Sequence, residues 1–321
     1  MEKTPIFDLH GDLLLYLAKD SQRTAMDPEV RCSLPQLKAG NVEFQVLPIA
    51  TVSGIVEETA QLIAYLNLEK QCPDFVARAL AVENASGFCC EDEPLEQGLK
   101  RLDAWNAQGG PIFYISFTWN HENRFGGGAH TAVGLKPDGK VLLEHLHKRG
   151  MAVDLSHTSD ALAHDIFNHI DAKGLDIPVI ASHSNFRAIC DVARNLPDEL
   201  AKEVIARGGL LGMNVVRKFV GPNRVYFAKQ LEHGLKLGAE NHLCLGADFF
   251  CMEDLPPELQ VPPEVGWFPG YDDASCYPAL IQLWEEQLKL GPEVIKKICS
   301  INVHNYWTKT IEKYYNILLF K

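Results

Sequence analysis

A parallel (β/α)8 barrel, the TIM-barrel class of α/β fold, is what the sequence predicts, on three observations. Eight short apolar, β-branched runs recur along its 321 residues. Segments with apolar residues at helical spacing lie between most of them. Several of the runs are continuously apolar, as strands buried on both faces require. Strand and helix in alternation imply a parallel sheet, and eight such units favour closure into a barrel over an open doubly wound sheet.

The strand runs cover residues 6–10, 43–49, 76–83, 112–119, 152–157, 178–183, 209–215 and 243–248. Helical spacing appears over residues 57–69, 95–107, 140–148, 160–172, 198–207 and 225–237. The helix over 198–207 carries start and stop signals, with Asn195 and Pro197 before it and Gly208 and Gly209 after it. Two further helices, over 278–290 and 292–313, end the chain. Residues 253–273 hold five prolines with Trp267, Phe268 and Tyr271, and no periodicity. A loop of that kind after the eighth strand fits a cover over the barrel mouth, or a surface loop packed on its own side chains. No linker, repeat or low-complexity tract breaks the pattern, so one domain is expected over residues 1–321.

Composition narrows the partners. Apolar residues make up 46% of the chain, enough for a sizeable core, and the formal net charge is -12. No run of Lys or Arg offers a nucleic acid a basic patch. No apolar run approaches the roughly 18–20 residues that cross a bilayer. The first residues lack the charged-then-apolar order of a signal peptide, so a cytoplasmic location is expected. The nine cysteines are an odd number, with no C-x-x-C pair, and read as reduced thiols.

The chemistry gathers at the strand ends. The first run ends in His10-Gly11-Asp12, and residues two apart in an extended chain point to the same side. Imidazole and carboxylate together suit zinc. Glu83 closes the apolar third run, where an unpaired carboxylate is costly to bury. It is either a salt-bridge partner, a helix cap or a carboxylate bridging two metals. The fifth run ends in Ser156-His157 and the sixth in Ser182-His183. Asp248 ends the eighth, as ligand, acid/base or structural carboxylate. Barrel enzymes carry their chemistry at this face, on residues from several strands. In many metal-dependent amidohydrolases a modified Lys on the fourth strand bridges the metals. Residues 112–119 contain no Lys, which leaves Glu83 as the substitute.

These segments resemble the membrane (renal) dipeptidase family of zinc peptidases. The resemblance rests on Asp8-Leu9-His10-Gly11-Asp12, Val82-Glu83, Asp154-Leu155-Ser156-His157, Val179-Ile180-Ala181-Ser182-His183-Ser184, Ala193-Arg194-Asn195-Leu196-Pro197-Asp198 and Gly246-Ala247-Asp248-Phe249. It implies a zinc-dependent dipeptidase with two Zn2+ per chain. His10 and Asp12 would hold one ion and His157 and His183 the other, with Glu83 bridging them. A hydroxide shared by the metals would attack the peptide bond, with Asp248 as acid/base and Arg194 on the substrate's free carboxylate. Members are often dimers, so a homodimer is the assembly the resemblance allows.

The chain departs from that family in places. Its fourth strand usually ends Thr-His, where the His stabilises the tetrahedral intermediate. Here Thr118-Trp119-Asn120-His121 puts Trp119 at that position, facing the substrate, and His121 two residues later as a stand-in for the catalytic His. The family's Asp-Phe-Asp-Gly becomes Asp248-Phe249-Phe250-Cys251. These departures keep two alternatives open: a two-metal amidohydrolase acting on a non-peptide amide, cyclic amide or lactone, and a barrel that keeps metal for structure alone.

Overall fold

The computed structural model describes residues 4–51 and 58–315. Its eight strands are β1 (Ile6–Asp8), β2 (Val42–Ala50), β3 (Ala77–Glu83), β4 (Ile112–Ser116), β5 (Ala152–Asp154), β6 (Val179–Ile180), β7 (Leu211–Met213) and β8 (Leu243–Leu245). All pair in parallel, in the order β6-β5-β4-β3-β2-β1-β8-β7. A bridge between Ala181 and Leu211 joins the two free edges. There the Ala181 N–H donates to the Leu210 carbonyl at 2.9 Å, and the Gly212 N–H to the Ala181 carbonyl at 2.8 Å. The sheet is therefore a barrel, as the alternation predicts.

Most of the strands stop two or three residues short of the predicted ends. The chain turns outward where its side chains enter the barrel mouth. His157 and Asp248 take left-handed backbone conformations, with φ of 71° and 65°. A residue with that φ cannot continue a strand. The helices over 95–107, 160–172, 198–207 and 225–237 appear within a few residues of their predicted limits, as Leu95–Gly109, Asp160–Lys173, Asp198–Ala206 and Tyr226–Lys236. The predicted helix over 57–69 appears as Glu58–Gln71, and residue 57 lies outside the described residues. The helix predicted over 140–148 starts earlier, at Pro137, because proline is favoured in a first turn.

Two helices after β1 had no counterpart in the periodicity, Leu13–Lys19 and Leu34–Ala39. Each spans barely two turns or less, too few residues to show a period. The second carried a legible local signal: Ser33 and Gln36 form a capping box, with Pro35 in the first turn.

The bottom of the barrel is filled rather than open. Helix Asn302–Tyr315 lays Trp307 against Phe113, ring centroids 4.4 Å apart. At the top, two buried aspartates tie strand ends together. Asp8 accepts from the Ala247 N–H at 3.0 Å and from the Tyr277 hydroxyl at 2.5 Å. Asp154 accepts from the hydroxyls of Ser116 and Ser182 at 2.8 and 2.7 Å, linking β4, β5 and the end of β6. Both carboxylates are hydrogen-bonded, as buried polar groups must be, though burial still raises the pKa of Asp8 above its ordinary value.

The proline-rich segment folds into short turns around buried aromatics, including a helical turn at Pro263–Gly266 and a fully buried Trp267. Arg31 lies over the Trp267 ring at 4.2 Å. Arg23 holds Asp254 through both carboxylate oxygens, at 2.7 and 2.8 Å. The segment's aromatics thus pack into the main core, against Phe227 and Phe250, and the chain between helices Leu13–Lys19 and Leu34–Ala39 straps it down. No helix among the described residues is long and apolar enough to cross a membrane.

Candidate metal centre

Five strands deliver six side chains to one place. His10 and Asp12 follow β1, Glu83 ends β3, His157 follows β5, His183 follows β6 and Asp248 follows β8. All six are buried. His10 Nε2 lies 3.6 Å from each of Asp12 Oδ1, Glu83 Oε2 and Asp248 Oδ1. Glu83 Oε1 lies 2.7 Å from His157 Nε2 and 3.7 Å from His183 Nε2. Glu83 therefore stands between two groups, His10 with the aspartates on one side and His157 with His183 on the other.

The imidazoles are oriented from outside. His10 Nδ1 meets the Tyr114 hydroxyl at 2.6 Å, and that hydroxyl donates to the Leu9 carbonyl at 3.1 Å. The proton between them therefore belongs to His10 Nδ1. His157 Nδ1 donates to Asn120 Oδ1 at 3.0 Å, because a side-chain carbonyl can only accept. His183 Nδ1 meets Ser182 Oγ at 2.7 Å, whose own proton goes to Asp154 at 2.7 Å. Each ring thus spends Nδ1 on the scaffold and turns the Nε2 lone pair inward, the arrangement by which histidine serves a metal.

Electrostatics points the same way. Burial and then Arg194 push His157 well below its ordinary pKa; burial and then His10 do the same to His183. Both are neutral, as ligands must be. Burial opposes a charge on His10, yet the carboxylates of Glu83, Asp12 and Asp248 outweigh it and raise its pKa. Burial likewise raises Glu83 and Asp248. Three buried carboxylates face His10 Nε2, each at 3.6 Å, more negative charge than one imidazolium balances, so a metal cation fits there. Meanwhile His10 Nε2, His183 Nε2 and Asp12 Oδ1 are buried with no hydrogen-bond partner. Unsatisfied buried polar atoms are costly, and three converging ones suit a metal ion. The donor set, imidazole nitrogen and carboxylate oxygen, fits zinc and its neighbours. Two subsets have ligand atoms close enough to share an ion: His10, Glu83 and His183, and His10, Asp12 and Asp248.

Arg194 lies beside the centre, 7% exposed, with Nη2 3.0 Å from His157 Nε2 and its guanidinium 5.2 Å above the Phe219 ring. Its Nη1 has no partner. Trp119 is half-buried, its ring 5.9 Å from that of His157 and nearly parallel to it. It borders an opening of about 570 Å3, together with Asp12, Glu83, Leu15, Leu255 and Pro256. The proline-rich segment therefore contributes one wall of the mouth. His121 is not brought into this group. It is exposed, its ring 6.0 Å from that of His130, because the chain turns away after Trp119.

The residues that orient the candidate ligands, Tyr114, Asn120, Ser182 and Asn214, do not stand out in the sequence as such. Asn214 donates to Asp248 Oδ2 at 2.8 Å and to the His183 carbonyl at 3.2 Å. Ser182 was visible as a neighbour of His183; the others carry no local signal.

The family model described as membrane dipeptidase (peptidase family M19) matches residues 1–316. An uncharacterized dipeptidase of Schizosaccharomyces pombe is 30% identical over 211 residues, 62% of this chain and 47% of that one. Dipeptidase 3 of Macaca fascicularis is 25% identical over 312 residues, 88% of this chain and 60% of that one. The chain thus spans about half to three fifths of the length of these relatives. Among solved structures, a metallo peptidase from Rhodobacter sphaeroides, liganded with a phosphinate mimic of L-Ala-D-Ala, superposes with a TM-score of 0.78 at 19% identity. That match covers 96% of this chain and all of the other. A second structure, of a dipeptidase of family M19, gives a TM-score of 0.76 at 19% identity, over 98% of this chain and all of that one.

Proposed function

Because the chain belongs to the membrane dipeptidase family, we propose that it is a zinc-dependent dipeptidase using two ions per chain. One observation carries this reading: three imidazoles, each held through Nδ1, turn their Nε2 atoms toward a single carboxylate, Glu83. His10, Asp12 and Glu83 would hold one ion, and Glu83, His157 and His183 the other. Bound there, two zinc ions supply Lewis acidity to the scissile carbonyl and acidify a water molecule.

The chain's own residues do the rest. Asp248, buried and held by Asn214, takes the proton of the attacking water and delivers it to the leaving amine. Burial keeps its pKa raised, which suits a group that must both accept and release a proton. Arg194 offers its unpartnered Nη1 and its fork to the substrate's free carboxylate. Trp119 stacks beside His157 and walls the substrate in; its indole donates a hydrogen bond but exchanges no proton. One domain, residues 1–321, is proposed to carry the whole activity. All nine cysteines are free thiols, which suits a reducing compartment such as the cytoplasm.

The test compares zinc-loaded protein on free dipeptides and on the same dipeptides with amidated carboxy termini. Chelator-sensitive cleavage of the free forms, at least tenfold faster than of the amides, is expected. Equal turnover of both forms contradicts the Arg194 role. Trp119 in the mouth favours a second reading, hydrolysis of a non-peptide amide or lactone at the same centre. Protein that holds zinc and cleaves such compounds but no dipeptide would establish it.

A further inference from the structure

Two of the segments that deliver ligands also bury a carboxylate and hydroxyls that take no part in the proposed reaction. Asp154 ends β5 and is enclosed together with Ser116, Ser156 and Ser182. Its Oδ1 accepts the backbone N–H groups of Ser156 at 3.0 Å and Ser182 at 2.7 Å. Its Oδ2 accepts the hydroxyls of Ser116 at 2.8 Å and Ser182 at 2.7 Å. Two donors thus converge on each oxygen, and the acceptor positions of the carboxylate are all taken.

A hydroxyl carries one proton. That of Ser182 goes to Asp154, so Ser182 Oγ accepts from His183 Nδ1, 2.7 Å away. A neutral imidazole has a single ring proton, and here it sits on Nδ1. Nε2, buried and without a hydrogen-bond partner, is left with its lone pair free. We propose that Asp154 is a positioning residue: through the Ser182 hydroxyl it decides which nitrogen of His183 is left for a metal. The proposal rests on the zinc reading of the centre.

An isosteric change reverses the relay. In Asp154→Asn the oxygen must keep the Oδ1 place, because the two backbone N–H groups facing it cannot accept. The NH2 group therefore takes the Oδ2 place and donates to the hydroxyls of Ser116 and Ser182. The Ser182 proton must then turn elsewhere. His183 Nδ1 is the nearest acceptor at 2.7 Å, while Ser156 Oγ is 3.4 Å away and the Tyr114 hydroxyl already accepts from His10. With Nδ1 accepting, the imidazole keeps its one proton but carries it on Nε2, where it blocks a metal.

The experiment titrates zinc into the full chain against a chromophoric chelator, for the parent, Asp154→Asn, Ser182→Ala and the double variant. Asp154→Asn is expected to bind one of its two zinc ions roughly a hundredfold more weakly, the upper range for the outer partner of a metal-bound histidine. Removing the Ser182 hydroxyl as well takes away the proton that occupies Nδ1. The double variant should therefore recover to within about tenfold of the parent, the level of Ser182→Ala alone. A carboxylate that merely holds strand ends together predicts a double variant no better than Asp154→Asn. That result overturns the proposal, as does an Asp154→Asn that binds both ions like the parent. The 15N signals of labelled histidines, recorded before zinc is added, read the tautomer directly. The His183 proton is expected on Nδ1 in the parent and on Nε2 in Asp154→Asn. A variant that keeps it on Nδ1 overturns the relay; so does a parent with Nε2 protonated, even where Asp154→Asn does not fold. A parent that binds fewer than two zinc ions refutes the zinc reading instead, and the 15N spectra then decide the relay alone.

Discussion

At the residue scale the candidate centre was legible where it uses metal-ligand chemistry and illegible where it uses neighbours. His10, Asp12, Glu83, His157, His183 and Asp248 each end a strand run, and a polar group closing an apolar run needs a reason. Tyr114 lies inside β4, where nothing distinguishes it from a core aromatic until its hydroxyl meets His10. Asn214 reaches Asp248 from the neighbouring strand unit, and sequence spacing does not encode such a contact. His121 looked like a substitute for a missing histidine because it is close in sequence, yet the turn after Trp119 carries it to the rim. Trp119 itself borders the mouth, so Trp119→His restores a hydrogen-bonding, proton-exchanging ring beside the centre. A rise in kcat of roughly a hundredfold on free dipeptides is expected, the lower end of what one well-placed donor supplies. Unchanged steady-state kinetics would show that the position does not face the reacting groups.

At the element scale all eight strands were legible from apolar runs, but most of their ends were not, β3 ending at Glu83 being an exception. A strand period says nothing of the left-handed turns at His157 and Asp248, which depend on what the side chains reach. The helices after β1 were too short to show a period. Close packing of strand ends was equally hidden. A Cβ at Gly212 would lie 1.8 Å from the Ser182 carbonyl oxygen, and one at Gly246 1.9 Å from the same atom. Only glycine lets the segments after β6 and β8 approach so closely, and His183 follows Ser182 directly. Gly246→Ala must therefore push β8 and the end of β6 apart. It is expected to cost about 1–3 kcal/mol in denaturant unfolding, the range of overpacking, and to weaken zinc binding. Unaltered stability and zinc affinity would mean that the two segments tolerate separation.

At the scale of the whole molecule, alternation of strand and helix was enough to predict the barrel, and the bridge between Ala181 and Leu211 completes it. The cover was not predictable from composition alone. Residues 253–273 read equally as cover or as a surface loop packed on its own side chains; in the fold Leu255 and Pro256 line the mouth while Trp267, Phe268 and Tyr271 pack into the main core. The five proposed ligands come from four of the eight strand units, so metal bound among them would tie half of the barrel together. The most direct measurement is therefore the metal content of the purified, zinc-equilibrated chain beside its Glu83→Ala and His157→Ala variants, with thermal unfolding recorded for each. Two zinc ions per chain are expected in the parent. Each folded variant should lose at least one, with a lower melting temperature, and chelator should lower the parent toward the variants. Two zinc ions retained in both variants would contradict the centre built on Glu83.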